Sequence, residues 1–139
     1  MESKGRAFRD LIKDEPYVFT GGVYEDGYAQ LQQHAYVFVL PDEVGGTHPA
    51  LVEAMGFGNC VLVNDTPSNL EVIAESGFSY CGTEGAEALQ CQLQTLLDQP
   101  TLVGEYRRRA WKRAQEHYRW EDVVRQYALF YQQMLGRVR

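Results

Sequence analysis

Residues 36–57 read YVFVLPDEVGGTHPALVEAMGF. Tyr36-Val37-Phe38-Val39-Leu40 is a continuous apolar run halted by Pro41, as expected for a strand buried on both faces. A glycine-rich turn, Glu43-Val44-Gly45-Gly46-Thr47, follows and leads into a helix predicted from about Pro49 to Phe57. Gly58-Asn59 ends that helix. Strand, glycine loop and helix in this order form the repeating unit of a parallel α/β sheet.

The same alternation extends to both sides. Upstream, Tyr17-Val18-Phe19-Thr20 predicts a strand ended by Gly21-Gly22, and Asp26 to His34 a short helix. Downstream, Cys60-Val61-Leu62-Val63 predicts a second buried strand. Thr66-Pro67 opens a helix with a cap residue followed by proline. Ser68 and Glu71 have capping-box spacing, Gly77 closes the helix, and Phe78-Ser79-Tyr80-Cys81 forms a short last strand. Three amphipathic helices complete the chain. Their apolar faces are Leu89/Leu93/Leu96/Leu97, then Leu102/Tyr106/Ala110/Ala114, then Trp120/Val123/Val124/Tyr127/Tyr131/Met134. The expected fold class is α/β: a Rossmann-like parallel sheet of about four strands, helices on both faces, and a C-terminal helical extension. Residues 1–139 form one domain. A doubly wound nucleotide-binding domain usually has five or six strands, and the first fourteen residues read as the tail of a helix. The domain is therefore expected to be N-terminally incomplete.

Composition limits the possibilities. Hydrophobic residues make up 45% and charged residues 23%, the ordinary values for a soluble globular chain. No apolar run is long enough to span a bilayer, and the N-terminus lacks a signal-peptide core. The three cysteines, Cys60, Cys81 and Cys91, have no paired spacing, which argues against a disulfide framework or a zinc site. A reducing cytoplasm fits best. Charge is uneven: residues 1–100 hold 4 Lys/Arg against 15 Asp/Glu, and residues 101–139 hold 9 against 4. No Lys or Arg occurs between Lys13 and Arg107.

In an open parallel sheet, ligands bind beyond the C-terminal strand ends, beside helix N-termini. Gly45 and Gly46 allow close backbone approach there. The amides of Thr47, His48, Ala50 and Leu51 lie near the free donors of the helix start, where anions are attracted. Glu53 sits one turn in, and a carboxylate can accept two hydrogen bonds from a vicinal diol such as that of ribose. The plain alternative is a structural turn with a solvated Glu53.

With these residues in view, the chain resembles retaining glycosyltransferases of family 4, from Tyr17 to about Leu135. The resemblance rests on Leu40-Pro41, the acidic glycine loop Glu43 to Thr47, and Glu53-Ala54-Met55 with Gly58. It continues through Asn59 to Val63, Glu71-Val72-Ile73 and Tyr118-Arg119-Trp120 to Met134. It implies the C-terminal, donor-binding domain of a two-Rossmann-domain (GT-B) enzyme, with the acceptor domain absent. The string Glu43 to Thr47 with Leu51-Val52-Glu53-Ala54 looks like a subgroup containing bacterial rhamnosyltransferases of surface-polysaccharide synthesis. The implied ligands are a nucleotide-sugar donor and a glycan or lipid-linked acceptor. No metal and no further cofactor are expected, since no DxD-type motif is present.

The family's hallmark is two glutamates separated by seven residues. The second matches Glu53, whose implied role is to hold the donor ribose. The first falls on Gly45, which is not acidic, so the usual sugar contact is lost. Glu43, two residues earlier, is the nearest carboxylate to replace it, and no other catalytic residue is assigned. The family's basic pair for the diphosphate is also missing, so this chain is expected to be inactive alone.

Other residues keep two readings each. His48 is a donor contact or an exposed loop residue, and Asp42 and Glu43 are donor contacts or a solvated acidic loop. Asn64, Asp65 and Thr66 border the cleft or cap a helix. Phe19 or Tyr24 faces a base, or Phe19 belongs to the core. Tyr127 and Tyr131 are packing residues. Arg107-Arg108-Arg109, Lys112 and Arg113 form a basic helix. It is a peripheral membrane contact, or a nucleic-acid surface for which no reading motif exists, or a solvated face. The rival to the transferase is a non-catalytic α/β binding or regulatory module. A receiver-type version would need a lysine at the strand ends, and that lysine is missing.

Overall fold

The structure is a computed structural model that describes residues 17–46 and 48–136. The predicted helix tail at Met1 to Asp14 lies outside the described residues, as does Thr47. Three parallel strands form the sheet: β1 (Phe38–Leu40), β2 (Val61–Asn64) and β3 (Phe78–Tyr80), in the order β1-β2-β3. Val39 pairs with Leu62, which pairs in turn with Phe78. The helices are α1 (Glu25–His34), α2 (Pro49–Gly56), α3 (Pro67–Ile73), α4 (Ala86–Asp98), α5 (Pro100–His117) and α6 (Trp120–Gly136).

β2 organises the core because all four of its residues are buried. Successive side chains of a strand point to opposite faces. Val61 and Val63 pack with Leu51, Met55, Val72, Ile73, Ala110 and Ala114, which come from α2, α3 and α5. Leu62 packs the other way, with Leu96 of α4, Val103 of α5 and Tyr80. The sheet is thus covered on both faces, as its unbroken apolar strand predicted.

The sheet has three strands among the described residues, against an expectation of about four. Tyr17 to Thr20 lies outside the ladder, with Val18 84% exposed. Strand propensity makes a strand only where a covering layer buries it, and residues 17–20 are exposed. Phe19, expected in the core, is 47% exposed. Leu97 faces solvent although it shares the apolar face of α4. The largest departure is α6. Its apolar stripe forms as a helix, yet none of its residues is buried. Tyr127 and Tyr131, expected as packing residues, are exposed and contact each other with centroids 6.2 Å apart.

Helix ends follow their local chemistry. Thr66 caps α3, its Oγ1 accepting from the Asn69 amide at 3.3 Å. Ser68 does not build the expected capping box. Its hydroxyl instead donates to the Gly45 carbonyl at 3.2 Å, tying the glycine loop to α3. α2 ends in a Schellman turn: Asn59 N–H donates to Ala54 O and Gly58 N–H to Met55 O, both at 3.0 Å. Gly58 takes φ +78°, a left-handed value that side chains resist.

Candidate functional site

The C-terminal ends of all three strands open on one mouth. Leu40 leads into the glycine loop, Asn64 into Asp65 and Thr66, and Tyr80 into Cys81 and Gly82. Asp65 clamps the last two exits together. Its amide donates to Tyr80 O at 3.1 Å, and its Oδ1 accepts from the Gly82 amide at 2.9 Å. Asn69 Nδ2 donates to Asn64 O at 3.2 Å, so Asn64 to Thr66 is held structurally. Burial first, then the charges of Glu43, Asp65 and Asp42, raises the Tyr80 hydroxyl above its ordinary pKa of 10.0. The mouth is therefore acidic, and three carboxylates bear on one phenol.

Within the glycine loop, Gly45 and Gly46 are exposed, as is Glu43. His48 Nδ1 lies 3.6 Å from Asp42 Oδ2. Its imidazole covers Gly45 closely: a Cβ built there would lie 2.6 Å from Cε1 and from Nε2. The position where an acidic side chain would begin is thus filled by the His48 ring. Ala50 is exposed in the first turn of α2. Leu51 corrects the sequence reading. Its amide donates to His48 O at 3.0 Å and its side chain is fully buried, so it belongs to the helix start and the core rather than to the open donors.

Glu53 is exposed on α2, and its Oε2 accepts from the Tyr28 hydroxyl at 2.8 Å. Tyr28 in turn accepts from Gln32 Nε2 at 3.0 Å, and Gln32 Oε1 accepts from Asn59 Nδ2 at 2.8 Å. Gln32 and Asn59 are buried. The edge of Phe57 meets the Tyr28 ring at 6.3 Å between centroids. Burial and the adjoining Glu53 carboxylate raise the Tyr28 pKa. Sequence reasoning missed this chain of contacts. The available signal was Tyr28 and Gln32, four residues apart on one face of a short helix. A groove of about 690 Å³ beside α1 and β1 shares Tyr28 and Gln32, and its other walls include Leu31, Val37 and Val39.

Phe19 and Tyr24, considered for a base pocket, are both exposed, Tyr24 at the start of α1. The basic helix is not a uniform surface. Arg107 Nη2 donates to Ala35 O, while Arg113 donates to Val72 O at 2.6 Å and to Glu71 O at 2.8 Å. Arg109 pairs with Glu105, and Lys112 with Glu116. Among the described residues, no three His, Cys, Asp or Glu side chains are placed to hold a metal ion. Among them, too, no helix is long and apolar enough to cross a membrane.

A parallel sheet covered by helices on both faces, with a glycine loop between its first strand and the next helix, defines an α/β domain of the doubly wound type. Residues 2–99 match the family model described as glycosyl transferases group 1, and the chain belongs to that family. Its fold is that of the GT-B C-terminal domain. It is similar to sucrose-phosphate synthase from Thermosynechococcus elongatus, with a TM-score of 0.83 at 21% sequence identity. The likeness covers 96% of this chain and 35% of that one, so the chain spans about a third of that protein's length. Among curated proteins, no sequence matches significantly.

Proposed function

We propose that this chain is the donor-binding half of a retaining family 4 glycosyltransferase, within the rhamnosyltransferase-like subgroup of surface-polysaccharide synthesis. A nucleoside-diphosphate sugar lies at Gly45, Gly46, Thr47, His48 and Ala50, with Glu53 holding the ribose diol. The acceptor is a glycan or lipid-linked sugar bound outside these residues. The observation that carries the reading is Glu53, exposed on α2 and held through one oxygen by Tyr28. A carboxylate so held keeps its second oxygen for a ligand hydroxyl. Membership of the glycosyl transferases group 1 family supports the class of ligand.

Saturation-transfer NMR with UDP, dTDP, GDP and ADP tests this, repeated with Glu53→Ala. Selective saturation of UDP, GDP or ADP, lost in the variant, is the expected result, whereas selectivity for dTDP, whose deoxyribose has no vicinal diol, contradicts the ribose assignment. Saturation unchanged by Glu53→Ala contradicts the ribose assignment. The reading requires no metal, so EDTA is expected to leave binding unchanged.

One observation favours a second reading, a nucleoside-binding module without transfer. The mouth carries Asp42, Glu43 and Asp65, and no Lys or Arg occurs from residue 14 to 106. A leaving diphosphate needs cationic stabilisation. Uridine binding as tightly as UDP would favour the module, and a gain from the phosphates would favour the transferase.

A further inference from the structure

The contacts behind Glu53 have a direction that chemistry fixes. A carboxylate only accepts, so the single hydroxyl hydrogen of Tyr28 goes to Glu53 Oε2. Tyr28 then has only lone pairs to offer, and Gln32 must present Nε2 to it. That choice leaves Gln32 Oε1 facing Asn59, which must present Nδ2. If the Gln32 amide were reversed, Tyr28 would donate to it and turn a lone pair toward the carboxylate. The orientation of each group therefore follows from the charge on Glu53, and the amides in turn hold the phenol in its donating state.

The base of the chain is rigid. Asn59 is fully buried and fixed by the Schellman turn that ends α2, the helix carrying Glu53. Its Oδ1 has no partner among the described residues. Leaving a buried polar atom unmatched costs free energy, so the amide is spent on one contact, the one toward Gln32. At the other end, Glu53 Oε1 makes no hydrogen bond among the described residues.

We propose that Tyr28, backed by Gln32 and Asn59, is a positioning residue that fixes Oε2 of Glu53 so that Oε1 stays presented to the vicinal diol of a bound ribonucleoside. This rests on the proposed role of Glu53, which it deepens. The contacts also join α1 to α2, so a test must separate positioning from simple support.

The test compares the affinities of the 139-residue chain for UDP, GDP and ADP with those for their 2′-deoxy counterparts, by NMR titration. Wild type, Glu53→Gln and Tyr28→Phe are measured, with thermal melts confirming that each is folded. Wild type is expected to favour the ribonucleotide of its preferred base by about tenfold, the effect of one good charge-assisted hydrogen bond. Tyr28→Phe is expected to bring that ratio to within about twofold, leaving affinity for the deoxynucleotide unchanged. A merely structural Tyr28 would weaken both nucleotides together, or neither, and keep the ratio. That result, with the ratio lost in Glu53→Gln, overturns the positioning role alone. No ratio in wild type, an absence of binding included, or a ratio that survives Glu53→Gln, overturns the diol reading and the positioning role with it.

Discussion

Gly45 and His48 compete for one volume. A Cβ at position 45 would meet the far end of the His48 ring at 2.6 Å, closer than van der Waals contact permits. That ring can rotate, so Gly45→Ala is expected to displace the imidazole and break its 3.6 Å pairing with Asp42, at a stability cost under about 1 kcal/mol. The His48 ring resonances should shift between wild type and variant, and unchanged resonances would show that the ring does not lie over the loop. At Cys60, burial raises the thiol pKa from 9.0 to about 11, against a smaller opposing pull from Arg107. The folded value lies above the unfolded one, so the fold favours the protonated thiol. That stability is complete below pH 9 and is lost as pH rises toward 11. Urea midpoints should fall over that window, and Cys60→Val should flatten the fall. At pH 8 the exposed Cys91 should react with a thiol reagent well before Cys60 does.

At the scale of elements, Arg113 links α5 to the C-terminal end of α3, where Ala74 leaves the helix with φ +44°. Arg113→Met removes two charge-assisted hydrogen bonds and is expected to cost about 2 kcal/mol in urea unfolding. Arg108→Met, on an exposed residue, should cost close to nothing. Equal costs would contradict the division of this basic helix into structural and solvated cations. The order of strands and helices from β1 to α6 could be read from periodicity, because burial on two faces leaves unbroken apolar runs. Tyr17 to Thr20 misled because propensity does not supply a layer to cover the segment, which lies exposed. The stripe on α6 misled in a related way: helical periodicity shows that a face is apolar, not what covers it. The loop and Glu53 were legible for the same reason as the strands, since local order places them at a helix start. The contacts of Glu53 were not legible. Tyr28 lies 25 residues before it in the chain, and Asn59 lies 27 after Gln32. Such tertiary hydrogen bonds leave no periodic trace in a single sequence.

Over the whole molecule, the sheet gathers three strand exits into one acidic mouth, while Arg107, Arg109, Lys112 and Arg113 of α5 are engaged by backbone carbonyls and neighbouring acids. The proposed nucleotide site lies at the glycine loop of that mouth, with Glu53 on the helix that follows. The most direct test is a map of backbone amide shifts as UDP, GDP or ADP is added to the labelled chain. Shifts centred on Gly45, Gly46, His48, Ala50 and Glu53 are the predicted result. Shifts centred instead on the groove wall at Leu31, Val37 and Val39, with the loop unmoved, would contradict the account.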